Sequence, residues 1–88
     1  MTLDNEAAQR RVLNRLRRAR GQLDAVIAAV EDEAPCRDIV TQLAAVTHAL
    51  NRAGFVVVAT ALEECLSAPE GSDGPTTEEL EKLFLTLA

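Results

Sequence analysis

Apolar positions recur early in the chain at Val12, Leu16, Ala19, Leu23, Val26 and Val30, in alternating steps of four and three. That spacing is the stripe of a helix and predicts one from about Asn5 to Glu31. Gly21 falls inside it, at a cost of about 1 kcal/mol relative to alanine. The segment EDEAP closes the helix, because Pro35 disfavours a helical conformation at Ala34. Proline at a first helical position then opens a second helix. Its stripe is Ile39, Leu43, Val46, Leu50, Val57 and Ala61, and it extends to about Leu66. The run FVVVAT (Phe55–Thr60) has the β-branched content of a strand. No turn signal follows it, however, and a lone strand would have no partner. A helix buried on several sides fits it better. PEGSDGP (Pro69–Pro75) reads as a flexible linker. Thr76 with Glu79 then makes a capping box for a third helix over residues 77–87.

Composition agrees with an all-α single domain over residues 1–88. There is no Trp or Tyr, the aromatics are Phe55 and Phe84, and Ala, Leu and Val dominate. A domain of 88 residues has a marginal core when alone. The second helix would be roughly 46 Å long, against a radius of gyration of about 12 Å for a compact globule of this length. Its own chain cannot cover it. The expectation is a second copy, in an antiparallel dimer of four-helix-bundle type. MTLDNEAAQ (Met1–Gln9) holds no apolar run and no stretch reads as membrane-spanning. Neither a leader nor a membrane partner is expected, which points to the cytoplasm and to free thiols at Cys36 and Cys65.

Charge changes the picture. The whole chain is formally −5, yet residues 1–20 carry six Arg against Asp4 and Glu6, a balance of +4. Residues 21–88 carry Arg37, Arg52 and Lys82 against twelve acids, a balance of −9. RRVLNRLRRARGQ (Arg10–Gln22) contains the six arginines and no acid. As a merely solvated face it would suffer i,i+4 repulsion, so an anionic partner is indicated.

Cys36 and Cys65 are 29 positions apart. They share a helix face to within about 20° but lie roughly 43 Å apart along the axis. Within one chain they cannot meet. In an antiparallel pair of second helices, Cys36 of one chain comes opposite Cys65 of the other, twice per dimer. The first-turn position and Arg37 favour Cys36 as the attacking thiol, with Cys65, beside Glu63 and Glu64, as the resolving one. Two small buried hydrophobes are the bland alternative. No CxxC is present and no general base lies near either thiol, so an enzyme is not expected.

These features together resemble the copper-sensitive operon repressor family (CsoR/RcnR), small helical bacterial repressors without a helix-turn-helix. The resemblance rests on NRLRRARGQ (Asn14–Gln22), CRDIVTQLAAV (Cys36–Val46), the run Ala49–Arg52 and Cys65. It implies a three-helix protomer, an antiparallel dimer, a dimer-of-dimers tetramer and double-stranded operator DNA as partner. It also implies Arg15, Arg52, Arg18 and Arg11 as the phosphate-binding residues. Family members that bind Cu(I) place a histidine four residues before the second cysteine, where this chain has Ala61. Their supporting tyrosine is replaced by Pro35, while Glu81 falls where the family has a third-helix glutamate. His48 lies about 120° round the helix and some 18 Å along it from Cys36, so it reads as a helix-surface or inter-dimer residue. Two cysteines without the histidine resemble the persulfide-sensing, CstR-like branch. That resemblance implies reactive sulfur species as inducer, an inter-subunit di-, tri- or tetrasulfide bridge, DNA release on modification and no cofactor. The alternative is Cu(I) held by the two thiolates alone. A formaldehyde-sensing branch leans on the same missing histidine, and a scaffold without DNA leaves the arginines unexplained.

Overall fold

A computed structural model describes residues 5–67, 74 and 76–88. Among the described residues there are three helices: α1 (Glu6–Glu31), α2 (Cys36–Ser67) and α3 (Thr77–Leu87). FVVVAT is helical throughout. Apart from Gly74, the expected linker at 69–75 lies outside the described residues.

The helix ends follow from side-chain chemistry. Asn5 caps α1, its Oδ1 accepting from the backbone N–H of Ala7 at 2.9 Å and of Ala8 at 3.3 Å. Thr76 caps α3, its hydroxyl oxygen accepting from the Glu79 N–H at 3.1 Å and donating to the Glu79 carboxylate at 3.3 Å. The reciprocal bond of the capping box therefore closes on the hydroxyl rather than on the Thr76 backbone. Pro35 is not the first residue of α2 but the one before it. Its carbonyl accepts from the Asp38 and Ile39 N–H groups, which leaves Cys36 as the first helical residue.

The stop at the end of α1 is more elaborate than a proline effect. Glu33 adopts φ 56°, and its N–H donates to the Val30 carbonyl while the Ala34 N–H donates to that of Ala29. This is a Schellman motif with a non-glycine residue in its left-handed position. With only four residues, 32–35, between the helices, α2 folds back antiparallel along α1.

The α1–α2 seam follows heptads. Val12, Ala19 and Val26 are 6%, 2% and 5% exposed, and their α2 counterparts Val46, Ala53 and Thr60 are also buried. Both sets are spaced by seven, the signature of helices packed at a shallow angle. The single apolar stripe expected on α1 is thus two stripes. Leu16, Leu23 and Val30 are 41%, 43% and 56% exposed, and on α2 Leu43 and Leu50, also seven apart, are exposed as well. Phe55–Val58 are half-buried and Ala59 is exposed, so the chain alone does not cover that segment.

Against the other part of α2 packs α3. Leu80 is buried, and the Phe55 and Phe84 rings sit 5.3 Å apart at 44°. A Cβ at Gly54 would stand 2.8 Å from Leu87 Cδ1, so glycine lets the end of α3 approach.

The result is a slab of 55 × 25 × 13 Å with a radius of gyration of 16.6 Å. Its thinnest dimension is about one helix diameter. A single layer has no interior, and among the described residues no large side chain is fully buried. One expectation is corrected here. By length and composition alone, α2 is apolar enough to cross a membrane, with a mean hydropathy of 1.3 in its most apolar window. Asn51 and Arg52 nevertheless fall at its middle, where a lipid-facing guanidinium costs about 2.5–3.5 kcal/mol. The apolar surface fits helix packing better.

Candidate functional site

Antiparallel pairing carries the start of α1 alongside the middle of α2 and brings distant cations together. Arg11, Arg15 and Arg18 are spaced by four and three, so they project from one face of α1. Arg52 and His48 are likewise one turn apart on α2. All five line a single groove of about 710 Å³ with Asn14, Gln22, Ala45 and Ala49. None of the lining residues is acidic. On a chain of net charge −5, this is a local concentration of positive charge. Ala45 and Ala49 are small, which keeps the groove open between the longer side chains. The four arginines singled out in the sequence all belong to this groove. His48 shares it, which the spacing along α2 alone did not disclose. The four-residue spacing puts His48 one turn from Arg52, but only the alignment of α2 with α1 brings it to the arginines of α1.

The thiols are not brought together within the chain. Cys36 is exposed as the first residue of α2, and Cys65 is half-buried near its far end. At 1.5 Å per residue their separation is roughly 43 Å. Cys65 Sγ lies 4.0 Å from the Thr77 hydroxyl of α3, a proximity that no spacing rule foretold. Ala61, one turn before Cys65, is buried, whereas Pro35 and Glu81 are exposed. His48 is 17 residues from Cys65, or about 25 Å along the helix. Among the described residues no group of three or more His, Cys, Asp and Glu is placed to hold a metal ion.

Comparison with known proteins decides the family. Residues 8–87 match the family described as metal-sensitive transcriptional repressor. The chain belongs to this family of repressors. It is 47% identical over 60 residues to the copper-sensing transcriptional repressor CsoR of Mycobacterium ulcerans, a match covering 68% of this chain and 51% of that protein. It is 37% identical over 82 residues to the proteins of the same name from Mycobacterium bovis and Mycobacterium tuberculosis H37Rv, covering 91% of this chain and 69% of theirs. The chain thus spans about half the length of the first of these relatives and about two thirds of the others. No solved structure matches it. The family is one of regulators and not of enzymes, as expected. The relatives' names correct one expectation: a sensor of this kind that works with no cofactor is at odds with the copper sensing named for these relatives. The missing histidine had favoured that expectation, but thiolates by themselves are ligands that select Cu(I).

Proposed function

We propose that the chain is a DNA-binding repressor that responds to Cu(I), held between Cys36 of one protomer and Cys65 of the partner subunit. The observation that carries this is the placement of the two thiols at opposite ends of one 32-residue helix. Only a head-to-tail second copy closes the pair, and it closes it twice. The exposed Leu16, Leu23, Val30, Leu43 and Leu50 offer a second copy an apolar face on a slab that has no interior. A dimer of dimers would extend the same packing.

The groove supplies the other half of the function. Arg11, Arg15, Arg18 and Arg52 would neutralise phosphates of an operator duplex, and a two-fold assembly would present two such grooves to a palindromic site. The donor set suits the ion in kind, since two thiolates are soft ligands, though one protomer alone does not bring both to one site. Bound there, Cu(I) would supply sulfur bonds that tie the ends of two α2 helices together. Arg52 sits on α2 and Arg15 on α1, so a shift of α2 against its partner would change the spacing of phosphate contacts.

One observation favours a second reading. Ala61 gives no third donor beside Cys65. A persulfide could then be the inducer: the Cys36 thiolate attacks its sulfane sulfur and expels a thiol. Attack on the resulting persulfide by Cys65 of the partner subunit expels hydrosulfide and leaves a disulfide between protomers.

Fluorescence anisotropy of a labelled duplex from the region upstream of the gene tests both readings. On the Cu(I) reading, one equivalent per protomer displaces the DNA, and a thiol-specific chelator restores it. Indifference to Cu(I), with release and a covalent dimer after glutathione persulfide, would overturn it in favour of the second.

A further inference from the structure

His48 stands exposed among four guanidiniums. Arg11, Arg15 and Arg18 face it from α1, and Arg52 faces it from α2. Among the described residues no carboxylate lines the groove, and α3 contributes nothing to the lining. Among the described residues, then, the imidazole has no anionic partner to explain its position. What four arginines and open space can take is an anion. A seated phosphate would give the ring what the chain withholds, since a protonated imidazole donates from both nitrogens and a neutral one from only one.

We infer that His48 is a fifth anion contact of the groove, one that takes up a proton as phosphate binds and so makes DNA affinity rise on acidification. This rests on the DNA-binding reading above and adds a proton-linked element to it. The sign follows from linkage: the bound state holds more protons than the free state, so binding strengthens as pH falls. The dependence is read between pH 8 and pH 6, above the range in which Asp and Glu ordinarily titrate. Each linked proton can contribute up to about tenfold in affinity per pH unit. We expect on the order of 3- to 10-fold per protomer across the window, together with a steeper salt dependence at pH 6 than at pH 8.

His48 is the only histidine in the chain, so its ring proton resonance reports on one site without assignment. The test follows that resonance by NMR from pH 5.5 to 8.5, with and without a 30-base-pair duplex at low salt. Duplex affinity is measured in parallel for the wild type, His48→Gln and Arg15→Ala. With duplex present, the titration midpoint moves to higher pH, and the pH dependence of affinity is lost in His48→Gln. If the duplex binds in an Arg15-dependent way while the titration stays put and His48→Gln keeps the wild-type pH profile, the inference fails and the DNA reading stands. If the duplex does not bind at all, both fall. Because His48 is exposed on a helix surface, Gln should leave the fold intact, which far-UV circular dichroism checks.

Discussion

Arg15 of α1 and Arg52 of α2 line the same groove, although 37 positions separate them in sequence. Their convergence is a consequence of the hairpin: the four-residue connection at 32–35 folds α2 back antiparallel along α1. If both neutralise phosphates, each removal should act alike. Arg15→Ala or Arg52→Ala is expected to weaken binding uniformly across sequences, and to lower the slope of log affinity against log salt by about 1 for each phosphate left without its arginine. Anisotropy titrations at several salt concentrations read this directly. Unchanged slopes in both variants would remove the groove from the DNA interface.

The proposed sharing of a site between subunits has a sharper consequence. Cys36→Ala and Cys65→Ala protomers should each lose Cu(I) binding almost completely, because every pair is then broken. Co-refolding the two variants should restore one intact pair per mixed dimer, about a quarter of the wild-type capacity for random mixing. Competition with a chromogenic Cu(I) chelator measures the recovery. No recovery, with mixed dimers confirmed by native mass spectrometry, would exclude the antiparallel pairing.

The second apolar stripe predicts a dependence of assembly on single residues. Leu23 lies in the second half of α1 and is exposed in the protomer. Leu23→Asp would place a charge within the proposed interface, where an unpaired buried charge is strongly destabilising. Sedimentation equilibrium should show a shift from oligomer to monomer, and the monomer should lose helix at lower temperature. A variant that still sediments as wild type would mean that the stripe is not an interface.

Glu33 offers a gain of stability. Its φ of 56° costs a non-glycine residue roughly 1–2 kcal/mol, and the Schellman motif is satisfied by backbone groups alone. Glu33→Gly should relieve part of that strain, offset by the greater freedom of glycine in the unfolded chain. A net gain of about 0.5–1 kcal/mol would raise the melting temperature by several degrees for a domain of this size. Calorimetry at matched protein concentration checks it.

Period and punctuation in the sequence were enough for the three helices. The stripe from Val12, the break at Ala34–Pro35 and the Thr76/Glu79 cap each arise from neighbours within a turn or two, where local sterics and hydrogen bonding decide. The left-handed turn at Glu33 escaped because no glycine marks it. The arginine cluster was legible as well, since it is contiguous on α1. Only the tertiary structure divided the apolar stripe, sending Val12, Ala19 and Val26 toward α2 and Leu16, Leu23 and Val30 outward. Both sets obey the same helical period, and period alone does not say which neighbour a face will meet. The same holds for His48: its place in the groove with the arginines of α1 depends on how two helices align across a hairpin, a non-local fact that no spacing along one helix contains.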